Sequence, residues 1–168
     1  MLKKFLNKNK TSIVDIFSPV TGKYLDLDEV PDPVFSDRMV GEGAAVQPEM
    51  SNTIIKSPVN GKIIMMTDTN HAIGIQDENG IELLIHIGLD TVELNGKGLK
   101  PLISINEEVQ LGQPIMEVNV NMIEESGKNS VIPVVITNMK DNHYKLITNK
   151  LETVEAGNTV LFSVEKSY

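Results

Sequence analysis

The chain has 168 residues, 23 acidic against 15 basic, and no cysteine, which removes thiol nucleophiles, disulfides and cysteine-ligated zinc. A length of this kind suits one domain that buries roughly 70% of its unfolded surface and needs no covalent staple. The net charge of −8 repels a phosphate backbone, so no nucleic-acid partner is expected, and no stretch approaches the roughly 20 apolar residues that span a bilayer.

Charge is uneven along the chain. Residues 1–10 hold Lys3, Lys4, Lys8 and Lys10, which leaves 11 basic and 23 acidic side chains, a charge of −12, in the remainder. An acidic body of that kind speeds encounter with a positively charged protein surface. Residues 1–11 read as a flexible basic tail and residues 12–168 as the domain. Leu2, Phe5 and Leu6 have the i, i+3, i+4 spacing of one helical side. Weak contact with an anionic membrane through residues 1–10 is therefore one expectation, and a solvated terminus the other. With no secretory signal, the expected location is cytoplasmic.

From Ser12 onward, β-branched or apolar runs recur between Gly, Pro, Asn and Asp. They are Ile13–Phe17, Ile54–Ile55, Lys62–Met66, Ala72–Gln76, Ile81–Ile87, Gln113–Val118, Val131–Thr137 and Thr159–Val164. Such spacing predicts an all-β fold, an antiparallel β-sandwich or barrel. Residues 30–40 and 120–127 each predict a short helical turn. Weak repetition fits the same architecture. Ser18-Pro-Val-Thr-Gly-Lys23 recurs as Ser57-Pro-Val-Asn-Gly-Lys62, and Val109-Gln-Leu-Gly112 resembles Val154-Glu-Ala-Gly157, each ahead of a strand.

Two of the three histidines, His71 and His86, flank one expected hairpin around Asn79-Gly80. Asn-Gly favours a two-residue type I′ turn. That register sets His86 opposite Ile73 and diagonal to His71 on one face, whereas a four-residue loop makes the histidines face each other. Their Cβ atoms would be about 4.5–5.5 Å apart as a direct pair, or roughly 7–8 Å apart on the diagonal. A three-residue loop would part them onto opposite faces. Two of the three registers unite the pair. In those, Ile81, Leu83, Ile85 and Ile87 share a core face with Ala72 and Gly74. Ile73, Ile75 and Leu84 then lie with the histidines. His143, in a polar stretch, reads as a surface residue.

Paired imidazoles suit three chemistries. Zinc needs three or four ligands, so a partner or a carboxylate would have to complete the shell. A hydrolytic triad lacks its nucleophile, since there is neither cysteine nor G-x-S-x-G. Phosphoryl transfer needs one neutral ring nitrogen, which imidazole with a pKa of about 6.5 offers at neutral pH, and a second ring to steady the phosphoryl oxygens. No G-x-x-x-x-G-K-[ST] is present, so another protein would supply the phosphate.

Gly80-Ile-Glu-Leu-Leu-Ile-His86-Ile-Gly88-Leu-Asp90-Thr91-Val92 closely resembles the phosphorylation-site signature of the glucose-type enzyme IIA family of the bacterial phosphoenolpyruvate:sugar phosphotransferase system. Thr69-Asn-His-Ala72, Asp28-Glu-Val-Pro-Asp32, Val40-Gly-Glu-Gly43 and Pro133-Val-Val-Ile-Thr-Asn-Met139 agree, and the similarity runs from about Ser12 to the C-terminus. The resemblance implies an antiparallel β-sandwich in which His86 takes a phosphoryl group on Nε2 from HPr and passes it to a cysteine of enzyme IIB. His71 would stay unphosphorylated and support transfer onward, Thr69 would orient His71, and Gly88 would fix the His86 tautomer. An apolar rim of Phe35, Met39, Val40, Leu84 and Val92, edged by Asp32 and Asp90, would receive HPr. No cofactor is implied, although zinc binds the two histidines of family members when a partner adds a carboxylate. Thr67 stands where some relatives carry a large aromatic residue.

Two other readings remain. A regulatory module of the same fold could bind partners without carrying phosphate, against which both histidines argue. A biotinyl- or lipoyl-type carrier is suggested by the Ser57–Lys62 hairpin and by Asn138-Met139-Lys140, but Lys140 is followed by Asp141 rather than methionine. The sugar, the regulatory targets and the oligomeric state leave no trace in these patterns.

Overall fold

The computed structural model describes residues 11–167, so the tail over residues 1–10, and with it the membrane contact, lies outside the described residues. Thr11, assigned above to that tail, opens the first strand, where it pairs with Ser167.

The chain folds as antiparallel β-sheets with two short helices. In chain order the strands are β1 (Thr11–Phe17), β2 (Gly22–Asp26), β3 (Glu42–Pro48), β4 (Asn52–Lys56), β5 (Gly61–Met66), β6 (Ala72–Asp77) and β7 (Glu82–His86). They continue as β8 (Leu99–Pro101), β9 (Glu108–Val109), β10 (Pro114–Asn119), β11 (Ile132–Ile136), β12 (Lys145–Ile147), β13 (Thr153–Val154) and β14 (Val160–Ser167). Helices α1 (Pro33–Ser36) and α2 (Val120–Glu125) fall where turns were expected, and 3-10 turns occupy Leu27–Glu29 and Thr91–Leu94. One sheet runs β13-β2-β3-β11-β7-β6-β5-β9; two smaller ones run β4-β10-β8 and β1-β14-β12. The sandwich expected from the spacing of apolar runs is the fold observed.

Its main core lies between the sheets. Ile16, Ile55, Ile63, Ile75, Ile85 and Phe162 are fully buried there, each worth roughly 1.5–3 kcal/mol in removed apolar surface. The central strands of the large sheet bury their other face as well. Ala45, Leu84 and Val135 point away from the main core and pack with Leu27, Val30, Phe35 and Leu89. This second cluster, roofed by the segment from Leu27 to Val40, is the floor on which the histidines sit.

The repeats seen in the sequence are one turn used twice. Ser18 Oγ donates to Val20 O and Ser57 Oγ to Val59 O, both at 2.7 Å. Gly157 N–H then donates to Ser18 O at 2.8 Å, and Gly112 N–H to Ser57 O at 2.9 Å. Each copy of the first repeat is thus bonded to a copy of the second.

The β6–β7 register differs from both registers that united the histidines. Ala72 pairs with His86, Ile73 with Ile85 and Ile75 with Leu83, the pattern of a three-residue loop. The cause is Asp77. Its carboxylate, buried at 7% exposure, accepts the amides of Asn79 at 2.9 Å and Ile81 at 2.7 Å. Gly80 alone takes positive φ, at 84°, and Asn79 does not. A side chain that captures two amides replaces the I′ turn by a tighter-held loop. As a result Ile73 and Ile75 line the main core, and Ala72 and Gly74 share the face of Leu84 and His86, the reverse of the expected assignment.

Candidate active site

His86 ends β7. Its Nδ1 lies 2.7 Å from Gly88 O. A carbonyl can only accept, so Nδ1 carries the proton and the neutral ring keeps its lone pair on Nε2. That bond needs a sharp turn immediately after the strand. Gly88 supplies it with φ +71°, and a Cβ there would come within 2.6 Å of Thr91 Cγ2 and 2.8 Å of Asn129 O. Thr91, fully buried, donates its hydroxyl to Ile87 O, and Leu89 N–H donates to Asn129 O at 2.8 Å. The carbonyl that sets the tautomer is therefore fixed from both sides. Gly88→Ala is expected to lower stability by about 2–4 kcal/mol, from left-handed strain plus overpacking; a denaturant midpoint equal to that of the parent would contradict the clash.

The rings of His71 and His86 meet at 5.3 Å between centroids, inclined at 67°. Ladder alternation would have separated them; the Ile87 amide still donates to His71 O at 2.7 Å, but His71 precedes β6 at the end of a loop and its ring is not fixed by the pleat. The loop 67–71 carries Asn70 at φ +59° and swings the ring across. His71 Nδ1 lies 2.6 Å from Thr69 Oγ1 and 3.2 Å from Thr67 Oγ1. Thr69 was expected beside His71; Thr67 as a contact was not, and the only signal was its position four residues before the histidine.

Phe35 was expected on an apolar rim. It is 2% exposed and packs edge-on against His86, with centroids 5.1 Å apart, so it backs the ring and offers no surface to a visitor. Val40 and Leu84 are half-buried over the same cluster. The exposed apolar surface comes from Met39, 71% exposed, and Val92, 49% exposed, joined by Val34, which the sequence reading passed over. Asp32 caps α1 by accepting the Val34 amide at 2.9 Å. Asp90 stands exposed in a left-handed conformation at φ 57°. Both carboxylates act on His86 electrostatically, favouring its charged form.

Burial pushes both histidines below the usual 6.5. For His86 burial is the largest cause; the Gly88 carbonyl opposes it, His71 adds to it, and Asp32 and Asp90 oppose it. Because the folded chain binds these protons less readily than the unfolded chain, stability is fully present above about pH 6.5 and declines as pH falls through the folded values. Ring-proton NMR titration should place both midpoints below 6.5, with His86 neutral at pH 7; a midpoint above 6.5 for His86 would contradict its burial. Among the described residues no group of three or more His, Cys, Asp or Glu is gathered to hold a metal. The two imidazoles provide half of a tetrahedral shell.

Residues 14–142 match the model of a family described as phosphoenolpyruvate-dependent sugar phosphotransferase system, EIIA 1. The glucose-specific EIIA component of Staphylococcus epidermidis is 36% identical over 169 residues, covering 99% of this chain and 100% of that protein. The glucoside-specific EIICBA component of Staphylococcus carnosus is 43% identical over 141 residues, or 83% of this chain, which spans only 20% of that longer protein. Among solved structures, glucose permease IIA from Mycoplasma capricolum superposes with a TM-score of 0.82 at 32% identity, covering 90% of this chain and 96% of that one.

Proposed function

This chain belongs to the EIIA 1 family of the phosphoenolpyruvate-dependent sugar phosphotransferase system and is a phosphocarrier in sugar uptake, and we propose that its phosphoryl group travels on His86. As a component of that system it works within a phosphoryl relay. The observation that carries the residue assignment is the bond from His86 Nδ1–H to Gly88 O, which leaves Nε2 unprotonated beside the ring of His71.

In the uptake step the Nε2 lone pair attacks phosphorus on a phosphohistidine of HPr. The new Nε2–P bond forms as the donor's N–P bond breaks; protonated on its other ring nitrogen, the donor ring leaves as neutral imidazole, while the phosphorylated His86 ring takes over the positive charge and keeps its Nδ1 proton on Gly88 O. His71, its Nδ1 held by threonine hydroxyls, presents Nε2–H to the phosphoryl oxygens and stabilises their charge. In the release step a thiolate on enzyme IIB attacks phosphorus, the S–P bond forms, the Nε2–P bond breaks, and His86 returns to its starting state. HPr docks on the Met39–Val92 surface, with Asp32 and Asp90 meeting its basic side chains, in keeping with the acidic body of the chain. Relatives named for glucose and for a glucoside support a downstream permease of that class, and phosphotransfer to a panel of IIB domains identifies it. Zinc at the histidine pair would need its remaining ligands from a partner, and no step requires it.

Incubation with enzyme I, HPr and phosphoenolpyruvate, followed by intact mass, tests the assignment. The expected result is one added phosphate, mapped to His86. An uncharged chain under conditions where HPr charges would favour a regulatory binding role instead.

A further inference from the structure

Thr67 closes the loop that brings the two histidines together. Its amide donates to Ala72 O at 3.2 Å, its hydroxyl accepts the Ala72 amide at 3.1 Å, and its carbonyl accepts the Asn70 amide at 2.9 Å. Residues 68–71 are thereby gathered into a tight excursion outside the β5–β6 ladder, and His71 is the residue that excursion delivers to His86. The side chain has a further contact, His71 Nδ1 at 3.2 Å.

The direction of that bond follows from what else the hydroxyl touches. The Ala72 amide can only donate, so it occupies one lone pair of Oγ1. The hydroxyl proton then has two acceptors within reach. One is Ala72 O at 3.4 Å, which already receives the Thr67 amide; the other is Nδ1, nearer by 0.2 Å. Thr69 Oγ1 approaches the same nitrogen at 2.6 Å. Two hydroxyls converging on one ring nitrogen are both used when that nitrogen accepts, and its proton then resides on Nε2.

We propose that Thr67 is a positioning residue for phosphoryl transfer: it turns His71 out of the strand toward His86 and donates its hydroxyl proton to His71 Nδ1, holding the Nε2–H tautomer. The proposal rests on the phosphocarrier reading of His86 and adds to it the origin of the helper ring's proton. Thr67 touches neither the phosphoryl group nor the nucleophile, so it acts only through His71.

The test compares Thr67→Val, which keeps the shape and loses the hydroxyl, with Thr67→Ser, which keeps the hydroxyl. In long-range proton–nitrogen NMR spectra the parent should show His71 with protonated Nε2 and unprotonated Nδ1. Thr67→Val should convert this to a mixture of tautomers, charge from HPr at the parental rate, and release phosphate to IIB about fivefold to tenfold more slowly, the scale of one lost hydrogen bond. Thr67→Ser should restore both the spectrum and the release rate. An unchanged tautomer with unchanged release in Thr67→Val overturns the proposal. So does a protonated Nδ1 in the parent, a result that needs no variant to fold. If no variant and no parent charges while HPr does, the phosphocarrier reading fails, and the histidine spectra still decide whether Thr67 sets the tautomer.

Discussion

Replacing His86 with alanine is expected to abolish phosphoryl uptake, with no added mass after enzyme I, HPr and phosphoenolpyruvate have acted. The argument turns on which nitrogens are free. His86 Nδ1 is engaged by Gly88 O, so its Nε2 is the one unprotonated nitrogen presented at the pair. His71 is not expected to substitute, because two threonine hydroxyls meet its Nδ1 and, in the tautomer proposed above, its other nitrogen carries the proton. Loss of the attacking atom in covalent catalysis leaves no alternative route to the intermediate. The change should also leave the fold standing. His86 is only partly buried and lies over Phe35 rather than in the main core, so circular dichroism should match the parent. Normal charging of His86→Ala would transfer the role to another residue and undo the site assignment.

His71→Ala is expected to separate the two half-reactions. Uptake uses a neutral imidazole as attacking group, so little new repulsion arises as it nears the phosphoryl oxygens. Release uses an anionic thiolate against a phosphoryl group that is itself negative. A hydrogen-bond donor on those oxygens then matters more, and removing one such donor costs roughly a hundredfold to a thousandfold. Quench-flow transfer from HPr should be close to parental, with transfer to IIB slowed on that scale. Onward transfer at the parental rate would show that the ring 5.3 Å from His86 is a packing neighbour and nothing more.

Much of this arrangement could be read from the amino-acid order, and the misses have identifiable causes. Runs such as Lys62–Met66 and Thr159–Val164 announced β5 and β14 because β-branched residues lie between turn formers. Strand β3 was missed because Glu42-Gly-Ala-Ala-Val-Gln-Pro48 is small and weakly β-forming. It is a strand because it lies between β2 and β11, buried on both faces. Strands of two residues, such as β9 and β13, cannot be told from the turns beside them. The hairpin register failed for a local reason: Asn79-Gly80 suggested a turn type, and the preceding Asp77 overruled it with two side-chain bonds. The histidines nonetheless met, since His71 lies just before β6, where the loop 67–71 rather than the pleat directs its ring. Phe35 was assigned to the surface because the resemblance says nothing about depth; packing with Leu27, Val30 and Leu89 buries it against His86.

The two rings are held by backbone of different permanence. His86 is carried by a strand flanked by β6 and β11, with apolar packing above and below, whereas His71 ends the loop 67–71, which is closed by a few bonds around Thr67 and anchored at its last residue by the Ile87 amide donating to His71 O at 2.7 Å. Local opening draws on such weakly buttressed segments long before central strands yield. Deuterium should therefore enter the amides of residues 68–70 well ahead of those of Ile85 and Val134, so that the loop preceding His71 opens while the strand under His86 stays closed. Retention of a charged phosphohistidine between encounters would then be governed by the lifetime of that small loop.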